Sequence, residues 1–480
     1  MLPSFIHPRS FVLLFALIFQ VGYAANLEIS QSLVYEESGT DNYAVFNVKW
    51  DHAWSNDRNH DAVWLFFKFN TGAWASTPAK VMTEKHTVVA VHQGPKDGLK
   101  FEVPEDQMGV FLYPNKKYRG NIEVTVKVYL ERESYSNKVK AWEGGFQAYG
   151  IETVYIPEGG FWIGDPGASA HARGAVYQSD ADGKADGPYY IGKEDMTVEV
   201  GPEKGKLYYE APSGYEGDQK GVLPDSFPKG VQSFYIMKYE VSQGEYATFL
   251  NSLNAAQCQE RVILGTKDYV KHGGTISFVD GIYVAAAPRA ACNYMSWDDA
   301  MAYADWSGLR PMTELEFAKA ARGTDKPVEN QYPWGYDDKA MVQRRSNDQL
   351  ELVMLNGWDE SKLSDANRAY FGASHYWVMD LSGSMWERVI SIGHEKGRAF
   401  KGSHGDGKVD NYGAATNADW PAGIAEPGGY GFRGGGFYGY GRAYHDFNPY
   451  SPVAYRKFGG WSGGARSVAY GTRFVRTSGK

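Results

Sequence analysis

The chain has 480 residues, of which 43% are hydrophobic and 22% charged, and its formal net charge is -8. These values are typical of a globular protein of two or three domains, and they exclude a largely disordered chain. The negative charge gives no electrostatic basis for binding nucleic acid or an anionic membrane.

The N-terminal residues 1–25 have the pattern of a cleaved secretory signal peptide. His7 and Arg9 precede an apolar run over residues 11–21, and the small residues Gly22 and Ala24 follow it. The run is too short to span a bilayer, and no later stretch is apolar enough to do so. We therefore expect a secreted protein, periplasmic or extracellular, without a membrane span.

Residues 26–150 have the alternation of an all-β module. The clearest strand places five apolar side chains on one face: Ile122, Val124, Val126, Val128 and Leu130. Residues 43–50 and 63–69 are further strand candidates, separated from their neighbours by turn-forming residues. A β-sandwich-like module fits this pattern, although other sheet topologies would satisfy it as well.

The chain contains two cysteines, Cys258 and Cys292. In an exported protein one pairing is possible, so a structural disulfide is the first interpretation and two unlinked buried thiols are the second. Two thiols alone do not make a closed zinc site, because such a site takes four Cys or His ligands.

Three helices are indicated by the residues that would cap them. Ser242 is followed three residues later by Glu245, and Thr313 by Glu316, which is the capping-box spacing. Ser296 begins a similar sequence with Asp in place of Glu. Apolar residues follow each start at helical spacing, and Gly323 would end the third helix.

The last fifty residues are rich in Gly and Tyr, without helical or alternating periodicity. Gly permits tight irregular loops, and Tyr offers a large contact area with a polar tip. We interpret this stretch as an ordered, loop-built binding surface; a disordered tail is the alternative. The candidate binding residues are Tyr438, Tyr440, Arg442, Tyr444, His445, Trp461 and Arg466.

Several blocks in order over residues 150–480 resemble the formylglycine-generating enzyme or sulfatase-modifying factor family. They are FYIMKYEVS at 234–242, NYMSWDDA at 293–300, LRPMTELEFAKAARG at 309–323, YPWG at 332–335, DLSGSMWE at 380–387, RGGGF at 433–437, YR at 455–456 and GTRF at 471–474. The resemblance implies an α+β fold for residues 151–480, of the C-type-lectin-like type with little regular secondary structure. The all-β sandwich domain predicted for residues 26–150 precedes this domain and lies outside the resemblance.

The resemblance also implies where a catalytic centre would lie. The family's active members bind copper through two cysteines just after the R-G-G-S block, and convert a cysteine of a sulfatase into formylglycine. The matching positions are Gly439 and Tyr444, and no Cys follows Cys292. Because Cu(I) requires soft thiolate ligands, we expect no copper and no formylglycine-generating oxidase activity.

A structural calcium site is a further implication of the resemblance. The matching positions are Asp380, the backbone oxygens of Gly383 and Met385, and Glu387. Hard oxygen ligands of this kind suit Ca²⁺. The alternative is a hydrogen-bonded turn in which the two carboxylates interact with Arg388, which replaces the family's Trp.

Four arginines of the closing segment raise the possibility of anion binding. For Arg433, Arg456 and Arg473 we favour a structural role, with their guanidinium groups on buried carbonyls and Asp partners, and we leave Arg466 open. The histidines are scattered, and none has the spacing of the non-haem iron sites found in a second branch of the superfamily.

These observations predict a non-catalytic module that binds a protein or saccharide ligand, without fixing its oligomeric state. One alternative is an oxygen-dependent oxidoreductase that uses other ligands, such as His445 and nearby carboxylates. Another is a component of a cell-surface assembly. Fold resemblance does not decide among them.

Overall fold

The computed structural model describes residues 27–38, 41–71, 74–131, 146–212, 214–264, 266–335, 344–346, 352–354, 364–436 and 451–479. The signal peptide predicted for residues 1–25 lies outside these ranges. Within them, no helix is both long enough and apolar enough to cross a membrane.

The N-terminal half of the chain is built from strands. They are β1 (Glu28–Ser38), β2 (Asp41–Ser55), β3 (Asp61–Thr71), β4 (Trp74–Ala79), β5 (Thr87–Gln93), β6 (Leu99–Glu102), β7 (Gly109–Pro114), β8 (Tyr118–Leu130), β9 (Phe146–Ile156), β10 (Phe161–Ile163), β11 (Tyr177–Gln178), β12 (Tyr189–Ile191), β13 (Val198–Val200), β14 (Leu207–Tyr208), β15 (Gly221–Leu223) and β16 (Phe234–Met237). A short helix, α1 (Ala168–His171), lies between β10 and β11.

The C-terminal half mixes helices with short strands. The helices are α2 (Gln243–Asn251), α3 (Ala255–Arg261), α4 (Lys267–Lys271), α5 (Trp297–Trp306), α6 (Glu314–Arg322), a 3-10 helix (Asp365–Phe371) and α7 (Glu395–Arg398). The strands are β17 (Ile276–Val279), β18 (Ile282–Ala285), β19 (Arg310–Pro311), β20 (Arg344–Ser346), β21 (Leu352–Met354), β22 (Trp386–Ile390), β23 (Tyr430–Arg433), β24 (Tyr470–Gly471) and β25 (Phe474–Thr477). The α+β class expected from the sequence is confirmed.

Two sheets face each other, and the larger one contains strands from both halves of the chain. One has the strand order β1-β2-β8-β5, and the other has the order β19-β25-β16-β9-β3-β7-β6, with β4 added to β3. In β8 the predicted alternation is confirmed, because Ile122 and every second residue after it are buried. These side chains pack with Val63, Leu65 and Phe67 of β3 in one hydrophobic cluster.

The larger sheet is buried on both of its faces. While Val63 and Leu65 point towards the first sheet, the intervening Trp64 and Phe66 pack in a second cluster with side chains from α2 and α5. Strand β9 pairs with β3 on one side and with β16 on the other. The predicted domain boundary at residue 150 therefore falls within a strand that joins the two parts of the chain into one sheet.

The three predicted helix starts are confirmed. Ser242, Ser296 and Thr313 each accept a hydrogen bond from the backbone N–H three residues later, and the acidic side chain at that position accepts one in return. Gly323 ends α6 with a φ of 82°, a conformation that glycine adopts readily. α6 thus brings Glu314 to its first turn and Arg322 to its last.

Three short strands, β23, β22 and β24, form a small sheet in the C-terminal part of the chain. β22 pairs antiparallel with β23 and parallel with β24, so that Glu387 lies opposite both Arg433 and Gly471. β25 pairs with β16 and β19 at the end of the larger sheet. The sequence blocks at 380–387 and 471–474 therefore meet residues 433–436 in space.

Candidate functional site

Glu314 is the centre of a buried group of charges. Its carboxylate accepts hydrogen bonds from Arg456, with Nη2 at 2.8 Å, and from Nη1 of Arg433 at 3.3 Å. Burial would raise the pKa of Glu314, but the two guanidinium groups lower it below its ordinary value. The structural role expected for Arg433 and Arg456 is therefore seen, with a Glu partner instead of an Asp.

Glu387 and Arg473 form a second buried pair. Nε and Nη2 of Arg473 each donate to a carboxylate oxygen of Glu387 at 2.7 Å. The third guanidinium nitrogen of Arg473 donates to the carbonyls of Met237 and Lys238 at 3.2 and 3.3 Å. The pair therefore connects β22 to the residues that follow β16.

Two further carboxylates lie close to this pair. Glu240 and Asp380 are 4% and 8% exposed, and Glu240 Oε1 accepts a hydrogen bond from the backbone N–H of Met385 at 2.8 Å. Burial, and then the charge of Glu387, raise the pKa of Glu240 well above its usual range. Burial likewise raises the pKa of Glu387 to about 7, although Arg473 opposes it. Glu240 and Asp380 thus lie near the buried Glu387–Arg473 pair.

This acidic cluster contains the positions expected to bind calcium. Asp380, Gly383, Met385 and Glu387 lie together in the turn before β22 and at its start. Hard oxygen donors of this kind fit Ca²⁺. Both Glu387 oxygens are engaged by Arg473, however, and no group of three or more His, Cys, Asp or Glu side chains within the described ranges is already arranged around a metal position.

Arg388 follows Glu387 in β22 and is buried, at the position where the family motif has Trp. Its Nη2 donates to the carbonyls of Met295 at 2.9 Å and Ala465 at 3.3 Å. The guanidinium carbon also lies 4.8 Å from the ring centre of Phe432 and 5.3 Å from that of Tyr470. The alternative pairing of Arg388 with the predicted calcium ligands is not among these contacts.

Trp461 lies at the edge of the same aromatic group. Its ring centre is 6.0 Å from that of Phe432, 6.1 Å from Tyr470 and 5.8 Å from Phe458. With 37% of its surface exposed, Trp461 is the member that solvent reaches most easily, while Phe432 and Tyr470 are buried. An exposed indole supported by rings is a suitable contact for a ligand.

Arg466 is held by groups of the helical region. Its guanidinium donates to both oxygens of Asp299, at 2.7 and 2.9 Å, and to the carbonyls of Glu260 and Val262. These contacts fix the loop after Trp461 against α3 and α5. All three guanidinium nitrogens of Arg466 therefore donate to groups of the protein itself.

The predicted disulfide between Cys258 and Cys292 is wrong, since both cysteines are free and buried. Sγ of Cys258 lies 3.5 Å from the carbonyl oxygen of Leu250, whereas Sγ of Cys292 lies 3.7 Å from that of Asn293. Each thiol therefore has a partner in its own neighbourhood. Burial raises the pKa of both thiols, and that of Cys292 well above its usual value.

The remaining predicted site residues lie at 437–450, outside the described residues. They are the binding candidates Tyr438, Tyr440, Arg442, Tyr444 and His445, together with Gly439 at the other position of the absent cysteine pair.

Sequence reasoning missed Glu240 as a member of the site. The available signal was an acidic residue just after the apolar strand β16 and just before the cap of α2. A charged residue between two buried elements needs a partner or a bound ion, because isolated buried charges are costly.

The described site is an α+β scaffold stiffened by buried Arg–Glu pairs, and no Cys follows Cys292 in the chain. The model of the sulfatase-modifying factor enzyme 1-like domain matches residues 192–477, which is more than half of the chain. The protein therefore belongs to this family.

Three relatives are similar to parts of the chain. A formylglycine-generating enzyme of Thermomonospora curvata is 26% identical over 200 residues, covering 35% of this chain and 65% of the relative. The Bos taurus formylglycine-generating enzyme is 23% identical over 250 residues, covering 47% and 65%. The inactive C-alpha-formylglycine-generating enzyme 2 of Mus musculus is 31% identical over 129 residues, covering 26% and 39%. The chain thus spans less than two thirds of the length of each of them.

Proposed function

We propose that this protein is a non-catalytic member of its family that binds a protein or saccharide ligand. The observation that carries the proposal is the state of the thiols. Gly439 and Tyr444 stand at the cysteine positions, and the chain's two cysteines are separate, buried and N-terminal to the Arg433 block. Burial favours the neutral thiol, whereas copper binding and oxygen chemistry need an accessible thiolate.

The replacement at Arg388 supports the same proposal. The family motif places a Trp here, and this chain places a buried cation that binds the Met295 and Ala465 carbonyls. The buried ion pairs of the C-terminal half are present, since Glu314 is paired to two arginines and Glu387 to Arg473. A scaffold that keeps its buried pairs while its catalytic positions change is suited to binding. The name of the similar mouse protein, an inactive enzyme, is consistent with this.

The binding surface that we propose is formed by Trp461 and the Tyr-rich residues 438–445. Trp461 is supported by Phe432, Phe458 and Tyr470 and is partly exposed. Stacking of an indole on the apolar face of a sugar ring, or its insertion between peptide side chains, would use this exposed edge. The Tyr side chains of residues 438–445 would add hydrogen bonds at low entropic cost.

We further propose that the ligand-binding domain has a C-type-lectin-like fold and that the protein is exported, as its N-terminal sequence indicates. The two facing N-terminal sheets, with their shared hydrophobic cluster, would act as a sandwich-like spacer or docking module. Calcium is proposed as a structural ion. Asp380 and Glu387, with backbone oxygens of Gly383 and Met385, would hold it, and Glu240 would be a third buried carboxyl group nearby. The bound ion would supply charge neutralisation and stiffness to the turn before β22.

A glycan and peptide screen with the purified protein tests the proposal. Trp461→Ala should reduce binding at least tenfold, as should Tyr440→Ala or Tyr444→Ala. Tyr412→Ala removes an aromatic side chain that is 71% exposed in another loop, and should leave binding unchanged. Binding that is equal in all variants would remove the proposed surface.

Metal analysis of the same preparation separates the proposal from an oxidoreductase. We expect neither copper nor iron at stoichiometric amounts, and no oxygen uptake with a cysteine-containing sulfatase peptide. Copper or iron at one per chain, together with oxygen consumption, would show that the protein is an enzyme.

A further inference from the structure

A small cavity lies between α6, β10 and the residues that follow β23. It is separate from Trp461 with its supporting rings and from the acidic cluster around Glu387. Apolar groups of Ile163, Val176 and Ala318 form part of its wall, and Glu314, Arg322, Arg433 and Arg456 form the polar part. The centre of a water-sized sphere can occupy about 10 Å³ of it. This is the room needed for one water molecule or one monatomic ion.

The arginines of this cavity are incompletely satisfied. Arg322 is 2% exposed, and its Nε donates to Gln331 Oε1 at 2.9 Å. Its two terminal nitrogens, Nη1 and Nη2, have no hydrogen-bond partner among the described residues, and the same holds for Nε of Arg433. Buried donors without an acceptor cost free energy, and charged donors cost more than neutral ones.

The charges around the cavity do not balance. The guanidinium groups of Arg322, Arg433 and Arg456 are opposed by the buried carboxylates of Glu314 and Asp165. Glu314 is already bound by Arg456 and Arg433, and Asp165 accepts hydrogen bonds from the backbone N–H groups of residues 167 and 330. One positive charge therefore remains, on the side of Arg322. The acidic Glu329 also lies near Asp165, but its side chain is exposed.

We propose that this cavity binds one monatomic anion, chloride under ordinary conditions, between Arg322 and Arg433. Chloride carries the single negative charge that the group lacks, and it accepts hydrogen bonds from several directions. The apolar wall and the small volume exclude sulfate, phosphate and carboxylates. The ion would hold α6 to the segment that carries Arg433 and Arg456, and would thereby stabilise the frame of the C-terminal half.

The test measures thermal unfolding of the full chain in sodium gluconate and in sodium chloride or bromide at equal ionic strength. Chloride and bromide should raise the Tm saturably by about 2–4 °C, because a ligand that binds only the folded state stabilises it. Gluconate is too large for the cavity and should have no such effect. An equal Tm in all three salts would overturn the proposal.

Two variants locate the effect. Arg322→Met should abolish the difference between chloride and gluconate, and Ala318→Leu should abolish it by filling the cavity while leaving every charge in place. Arg466→Met, which removes an arginine paired with Asp299 elsewhere, should retain the full difference. A wild-type halide response in both cavity variants would contradict the assignment.

Crystals soaked in bromide give the direct measurement, even if a variant does not fold. An anomalous peak between Arg322 and Arg433 is expected. A cavity that contains only water at high bromide concentration would overturn the proposal.

Discussion

Arg473 and Glu387 face each other through two parallel hydrogen bonds of 2.7 Å, and both side chains are fully buried. The planar guanidinium matches the carboxylate with two donors, a geometry that Lys does not reproduce. The same cation is also close to Glu240, which in turn lies near Asp380. Arg473 therefore neutralises Glu387 within a group of three buried acids.

Arg473→Met should strongly destabilise the protein. Without the cation, the carboxylate of Glu387 is buried beside two other acids, and breaking a buried pair in this way costs about 3–5 kcal/mol. Arg473→Lys should lie between wild type and Met. The free energy of unfolding in urea measures the effect.

Lys117→Met serves as the control for the Arg473 variants. Lys117 pairs with Asp57, but both side chains are more than two thirds exposed, and such a pair contributes little to stability. If Arg473→Met and Lys117→Met change the free energy of unfolding equally, the buried pair does not have the role assigned to it.

Calcium should raise the melting temperature of the wild-type protein, and its removal by EGTA should lower it. A divalent cation beside Asp380 would favour the charged forms of Glu240 and Glu387, which burial disfavours. Asp380→Asn should raise, by at least tenfold, the calcium concentration needed for half of the increase in melting temperature. Asp410→Asn is the matched control, because Asp410 accepts backbone hydrogen bonds within its own loop. A melting temperature that is identical with calcium and with EGTA would exclude the ion.

Local sequence rules predicted the helix starts well. A capping box is formed by residues three apart, so Ser242 and Glu245 carry the whole signal within one turn. The alternation in β8 was equally legible, because one face of that strand is buried and the other is only partly so. Such patterns depend on neighbours in the sequence and need no knowledge of the rest of the fold.

Local sequence patterns could not predict that one sheet joins the two predicted domains. β3 is buried on both faces, so its run of apolar residues shows no alternation and does not reveal its partners. β9 pairs with β3 and β16 across large sequence separations. A boundary based on local patterns was therefore placed within a strand.

Sequence reasoning also did not predict which charged residues pair with each other. Arg466 and Asp299 are 167 residues apart, and no spacing rule connects them. The disulfide inference failed for a related reason. Cysteine number and cellular compartment limit which pairings are possible, but the distance between two thiols depends on packing.

Glu245→Gln should change the pH dependence of stability. Glu245 is buried, its Oε2 accepts the N–H of Ser242 at 2.8 Å, and its Oε1 has no hydrogen-bond partner among the described residues. Burial raises the pKa of Glu245 to about 8, although the Ser242 hydrogen bonds oppose this shift. Between about pH 4.5 and 8 the unfolded carboxyl loses its proton while the folded one keeps it, so this residue makes stability fall as pH rises.

Gln at this position keeps the acceptor of the capping box and carries no charge. Urea unfolding should therefore show little difference from wild type near pH 5. Near pH 8 the variant should be more stable, by on the order of 2–4 kcal/mol. Glu260→Gln, on the exposed side of α3, should give curves parallel to wild type. A variant that is destabilised equally at both pH values would show that the charge of Glu245 is not the cause.

The two cysteines should be unreactive in the folded protein and both reactive after unfolding. Cys258 and Cys292 are buried with raised pKa values, so little thiolate is present at neutral pH and access is blocked. Titration with a thiol reagent in the absence of reductant should give close to zero thiols in buffer and two in guanidinium chloride. Cys258→Ala and Cys292→Ala should each leave one. If no thiol is found in the denatured wild-type protein, the cysteines form a disulfide, and the packing that separates Leu250 from Asn293 would have to be revised.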